Sequence, residues 1–217
     1  MINHRALAAF ERGQEWEGRH NPSKAIKAYR QAAAIEPEWA DPHRRLALLF
    51  FDLGRYDEAA DAFRQLEPLL PAGDRSTDNW LHVIKQIQTG TLERAAHDDY
   101  AAARDLPEEK FEEKIALCQN ALDPNPTYAA PYAVLGKALL AKGHPNQART
   151  TLERGLECGP RPFTQAELLF NLGNVLLTIG QRDEALEIFG RVVELNANPT
   201  ATRFAAIQLD AAADGRI

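Results

Sequence analysis

With 217 residues, of which 45% are hydrophobic and 26% charged, the chain is long enough to fold around a sizeable core as one unit. Its formal net charge of −6 argues against a general nucleic-acid binder, which needs a basic face to displace counterions. No apolar run approaches the roughly 18 residues of a membrane span, so no membrane insertion is expected. Residues Met1 to Leu7 have no long apolar stretch behind their positive charge, so no signal peptide is expected either.

Alanine is abundant, β-branched residues are scarce, and no stretch alternates apolar and polar residues for long. The expectation is an all-α chain. A first helix covers about residues 3–18. Asn21 caps a second, with Pro22 in its first turn, where the missing N–H costs nothing; it ends before Pro37. Asp41-Pro42 repeats the start signal for a helix to Leu53, with Leu46, Leu49, Phe50 and Leu53 on its core side. Gly54 closes that helix, and the next runs from about Tyr56 to Leu70. Between Ser76 and Leu122 three helices are expected, at about 77–89, 92–105 and 108–122. Pairs follow at about 128–142 with 145–157 and 165–179 with 182–195. A last, Ala-rich helix at about 200–213 would cover the final pair with a polar face outward.

One motif recurs through these elements. Gly180-Gln181-Arg182-Asp183-Glu184-Ala185 continues to Phe189, and Gly54-Arg55-Tyr56-Asp57-Glu58-Ala59 continues to Phe63 in almost the same letters. Weaker copies run from Gly143 through Ala148 to Leu152, and from Asn21 through Ala25 to Tyr29. Ala25 and Ala59 are 34 residues apart. Upstream, Tyr132-x2-Leu135-Gly136-x2-Leu139 matches Leu169-x2-Leu172-Gly173-x2-Leu176. The pattern resembles the tetratricopeptide repeat, a 34-residue helix–turn–helix unit. The resemblance implies an α–α superhelical solenoid of stacked antiparallel helix pairs, with about 12 helices in a single domain over 1–217. Its repeats would lie at about 6–39, 40–73, 129–165 and 166–199, with an irregular or inserted helix in 74–128 and a cap at 200–213. Gly136 and Gly173 would face Ala148 and Ala185, where the helices cross closely.

The middle breaks phase, because Ala59 and Ala148 are 89 residues apart, two repeats plus 21. Either 92–105 pairs with 108–122 and the helix carrying Trp80 is inserted, or 77–89 pairs with 92–105 and 108–122 stands alone.

Motifs for chemistry are missing. The six histidines form no His-x-x-x-His or His-Glu-x-x-His set, and His97-Asp98-Asp99 lacks the further spaced ligands of a metal site, so it reads as a solvated helix face. Glu108-Glu109 and Glu112-Glu113 read as the acidic start of a helix. No phosphate-binding glycine loop occurs. Cys118 and Cys158 read as packed, free thiols of a reducing compartment, which points to the cytoplasm. No catalytic residue, metal or cofactor is therefore expected.

The resemblance implies instead a concave groove lined by the first helix of each pair, which binds an extended peptide or a partner helix. Residues off the packing stripe are the candidates for that groove: Arg44, Arg45, Leu48 and Phe51, then Lys137, Phe170, Asn171 and Asn174, then Phe204 and Gln208. The bland alternative packs Phe51, Phe170 and Phe204 between neighbouring pairs and leaves Arg44 and Arg45 as solvated cations. The Lys/Asn/Arg clamp of co-chaperone repeats is not matched, since the first pair presents Phe10, Gln14 and Glu17. The expected function is a non-catalytic scaffold or adaptor with a protein or peptide partner. The alternatives are a regulatory or substrate-presenting module for a separately encoded enzyme, or a self-associating homo-oligomer.

Overall fold

The computed structural model describes residues 2–214, and among them it contains twelve α-helices, one 3-10 turn at Glu67–Leu69 and no strand. The helices are α1 (His4–Gly18), α2 (Pro22–Ile35), α3 (Ala40–Asp52), α4 (Tyr56–Leu66), α5 (Ser76–Gln88) and α6 (Arg94–Asp105). They continue as α7 (Phe111–Leu122), α8 (Ala129–Ala141), α9 (Pro145–Glu157), α10 (Pro162–Thr178), α11 (Arg182–Leu195) and α12 (Pro199–Ala213). Proline opens four of them, at Pro22, Pro145, Pro162 and Pro199, where its fixed φ suits the first turn. Asn21 caps α2 by accepting from the Lys24 amide, and Asn198 caps α12 by accepting from Thr200 and Ala201.

By internal contacts the chain divides into two compact units, residues 1–72 with 80–88, and residues 73–79 with 89–217. In the first unit α1 packs on α2 and α3 on α4. Trp80 of α5 stacks on Phe63 at 5.2 Å between ring centroids and meets Phe51 edge-on at 5.0 Å. In the second unit α6 packs on α7, α8 on α9 and α10 on α11, with α12 against α11 and α10. Successive first helices also touch: α6 meets α8, and α8 meets α10. Residues 73–79 lie against the far end of this same unit. The Arg75 amide donates to the Ala197 carbonyl at 3.1 Å, and Thr164 Oγ1 donates to Asn79 Oδ1 at 2.9 Å. Gly73 makes that approach possible, because at its φ of +85° a Cβ would lie 2.5 Å from the Asn196 carbonyl oxygen.

Each second helix buries the same three positions, four and then three residues apart: Ala25, Tyr29 and Ala32; Ala59, Phe63 and Leu66; Ala148, Leu152 and Gly155; Ala185, Phe189 and Val192. In α7 these positions are Lys114, Cys118 and Ala121, all buried. Lys114 and Ala148 are 34 residues apart, so α7 is in phase with α9 and the surplus chain lies upstream, around α5.

The large middle residue presses on a small one in the first helix. A Cβ on Gly136 would lie 2.5 Å from Leu152, and one on Gly173 would lie 2.5 Å from Phe189. These glycines therefore face Leu152 and Phe189 as nearest neighbours, one turn beyond the Ala148 and Ala185 expected from sequence. Gly13 opposes Tyr29 in the same way, a pairing that the sequence reading did not mark.

This packing predicts opposite signs for one substitution at two helical glycines. Gly173→Ala should destabilise by about 1–3 kcal/mol, since Phe189 leaves no room for a methyl group. Gly190→Ala, whose Cβ would enter open space, should stabilise by about 0.5–1 kcal/mol through helix propensity. Urea unfolding of both variants checks the pair.

Candidate functional site

The second unit gathers charged groups where three successive first helices lie side by side. Arg104 stands at the end of α6, Lys137 on α8, and Glu167 and Asn171 on α10. With Glu108, Lys114, Ala133, Val134 and Ala138 they line a pocket of about 100 Å³. Lys137 Nζ donates to Glu108 Oε1 at 2.9 Å, and the buried Lys114 reaches the same oxygen at 3.8 Å. Asn171 Nδ2 donates to the Ala133 carbonyl at 3.1 Å, which ties α10 to α8 and fixes the amide at the pocket wall.

The electrostatics favour a negatively charged visitor. The hydrogen bond from Lys137 holds Glu108 below the usual carboxylate range. Burial pushes the Glu167 carboxyl up, against the pull of Arg104 and Lys137, so this acid resists ionising. Three cations thus stand against two carboxylates: Glu108 in the pocket and, outside its lining, Asp105, whose Oδ1 accepts from Arg104 Nε at 3.0 Å. A cleft of about 450 Å³ in the first unit is larger, but Arg30 there is already 3.7 Å from Glu58, and Asp61 adds a second acid. Size favours that cleft, whereas charge favours the smaller pocket.

Behind the pocket stands an aromatic group. Tyr100 of α6 meets Tyr128 edge-on at 5.6 Å, and the Arg104 guanidinium lies over the Tyr100 ring at 5.8 Å. Burial raises the Tyr100 phenol, with further upward contributions from Glu167 and, from α7, Cys118. His97 is only 3% exposed, and its Nδ1 shares a hydrogen bond with the Tyr128 hydroxyl at 2.8 Å. The solvated face expected at 97–99 is therefore wrong for His97, because α6 turns this ring inward. Among the described residues no group of three His, Cys, Asp or Glu side chains could hold a metal ion.

The predicted groove residues are spread over both units. In the first, Arg44 is exposed and paired with Asp41 at 2.9 Å. Arg45 is exposed near the Tyr29 phenol, which itself donates to Glu17, and Leu48 is half-buried. Phe51 is no groove residue: it is 2% exposed, because Trp80 and Tyr56 close over it. In the second unit Lys137 and Asn171 meet in the pocket. Asn174 is half-buried one turn along α10 from Asn171, and Gln208 is half-buried on α12. Phe170 sits between Phe189 and Phe204, with centroids 5.9 and 6.2 Å away. Phe204 remains 42% exposed.

Arg104, Lys114, Glu108 and Glu167 escaped the sequence reading. Glu167 could have been found, since it precedes Asn171 by one helical turn on the same stripe. Glu108 was taken for the start of a helix, but α7 begins at Phe111, which leaves Glu108 in a loop free to reach the lysines.

Models of the tetratricopeptide repeat match residues 10–74, 94–162 and 166–199, which span the helix pairs described above. The chain belongs to the tetratricopeptide-repeat family. It is 26% identical over 192 residues to the human protein O-mannosyl-transferase TMTC3, covering 85% of this chain but only 19% of that protein. The chain thus spans about a fifth of that relative's length. Among solved structures it is similar to the TPR2AB domain of yeast Sti1 in complex with pHSP90, at 13% identity and a TM-score of 0.49, covering 96% of this chain and 98% of that one. It is also similar to TTC0263, a thermophilic repeat protein of Thermus thermophilus, at 18% identity and a TM-score of 0.42, covering 94% and 98% respectively. No described helix is long and apolar enough to cross a membrane.

His97 gives this region a pH signature. Burial, reinforced by Arg94, holds its pKa down to about 4. Below the unfolded value of about 6.5 the unfolded chain takes up a proton that the folded chain refuses, so stability is full above that pH and falls as the pH drops towards 4. From pH 7.5 to 5.0 this site should cost about 2 kcal/mol. Urea titrations at the two pH values should show that loss in the wild type and not in His97→Gln.

Proposed function

We propose that the chain is a non-catalytic interaction module that holds an extended protein segment along the face formed by α6, α8 and α10, with an acidic side chain or carboxylate of that segment in the Arg104–Lys137–Asn171 pocket. The observation that carries this reading is the excess of cations converging from successive repeats on one small pocket, beside an amide already fixed in place. Backbone recognition by Asn171 and Asn174 and charge recognition by Arg104 and Lys137 would together read a short acidic motif. Phe170 and Gln208 would extend the contact towards α12. Arg44, Arg45 and Leu48 would add a second, separate contact in the first unit. The partner is thus a protein or peptide, and no cofactor enters the reading. The free thiols Cys118 and Cys158 fit a reducing, cytoplasmic setting.

A second reading is favoured by the likeness to part of a protein O-mannosyl-transferase. The array would present a substrate segment to an enzyme held on the same or another chain, using the same pocket. Such an enzyme would copurify and bring a transferase activity that the isolated repeats lack.

A displayed peptide library panned on the immobilised protein tests the main proposal. Wild type should enrich sequences with a fixed acidic residue. Arg104→Glu with Lys137→Glu should weaken those peptides about tenfold or more while helicity is unchanged. Retention of the same peptides at the same affinity would remove the pocket from the binding surface.

A further inference from the structure

Helix α12 does not show the polar outer face expected of a cap. From Arg203 to Asp210 its exposed positions, at 100° per residue, fall on one stripe centred on Ile207, with Arg203 and Asp210 on one flank and Phe204 and the half-buried Ala211 on the other. Phe204 and Ile207 are 42% and 51% exposed and are the only two large apolar side chains left exposed beyond Leu53 among the described residues. Arg203 rests its guanidinium over the Phe204 ring at 4.9 Å, yet among the described residues neither Arg203 nor Asp210 carries an ion pair within the chain. A cation and an anion thus stand beside an apolar stripe, without an ion pair among the described residues, seven residues apart on the same flank.

That arrangement is complementary to itself. Place a two-fold axis across the stripe, between Ala206 and Ile207, and lay a second α12 antiparallel on the first. Arg203 and Asp210 each lie about 5 Å along the helix from that point, in opposite directions. The axis keeps each on its own flank and inverts its height, so Arg203 comes opposite the partner's Asp210, and Asp210 opposite the partner's Arg203. On the other flank Phe204 comes opposite the partner's Ala211, a large side chain against a small one. Ile207 meets its own copy near the axis. An isologous contact requires such a surface, and a surface made for an unrelated partner has no reason to satisfy it.

We infer that the outer face of α12 is a homodimer interface, in which two copies of this chain pair antiparallel through Phe204 and Ile207, with two symmetric Arg203–Asp210 ion pairs setting the register. One helix pair buries less than the roughly 1,200 Å² of a stable interface, so association belongs to the weak class and rises with concentration. No residue of α12 lines the Arg104–Lys137–Asn171 pocket, so a pair of copies would carry two such pockets and bind a repeated ligand with avidity.

Sedimentation of the full chain from about 1 µM to about 1 mM should show the mass rising from monomer towards dimer, a range that spans weak association. Arg203→Asp alone and Asp210→Arg alone should each remain monomeric, because each places like charges across both contacts. Mixed in equal amounts they should form a heterodimer, since one copy then presents only acids at 203 and 210 and the other only bases. Ile207→Asp should remain monomeric alone and in either mixture. A wild type that stays monomeric throughout overturns the inference. So does association that persists in Ile207→Asp, or failure of the two charge variants to associate on mixing.

Discussion

Everything in this molecule depends on how closely two helices of a pair can approach. In three pairs a glycine on the first helix receives a large residue from the second, sixteen residues later: Gly13 with Tyr29, Gly136 with Leu152 and Gly173 with Phe189. The missing Cβ is what brings the helix axes together, and the large ring or isobutyl group fills the space so made. Neither half works alone. A helix of about 14 residues is marginal in water, so each pair holds only because this contact and its neighbours in the stack are made together.

The third pair breaks the rule, and the candidate site lies beside the break. In α7 the large position is taken by Cys118 and the preceding small position by Lys114, both buried. Bulk comes instead from α6, whose Tyr100 is 8% exposed and close enough to Cys118 for the thiol to act on its phenol. A lysine at a position built for alanine must send its ammonium somewhere polar. It reaches Glu108, which the lengthened turn between α6 and α7 places against Lys137 as well. Arg104 leaves the same helix as Tyr100 one turn later. The exchange of sizes inside the pair and the cluster of charge at its edge therefore share one cause.

This explains which features could be read from the sequence. Helix limits were legible because proline and asparagine mark the starts in chemistry that needs no tertiary context, as at Asn21 and Pro22. The regular pairs were legible because Ala-x3-Phe and its variants repeat in phase. The middle was not, since a pattern search for a small and a large residue passes over Lys114 and Cys118. Lys137 and Asn171 were visible as polar residues off the packing stripe. Phe51 looked the same but is covered by Trp80, from a helix that no repeat pattern announces. Glu108 was hidden for a different reason: acidic residues suit both a helix start and a salt-bridged loop, and only the position of Phe111 as first helical residue separates the two.

The most direct test of this account is a double-mutant cycle on Tyr100→Ala and Cys118→Phe, read by urea unfolding. Alone, the first opens a cavity and should cost about 3–5 kcal/mol, and the second overfills the core and should cost about 1–3 kcal/mol. Together they restore the small-and-large order of the other pairs, so the double variant should be more stable than the sum of the two losses by at least ~1 kcal/mol. Additivity within about 0.5 kcal/mol would show that Tyr100 and Cys118 do not share one space, and would contradict the exchange of sizes on which the site's placement depends.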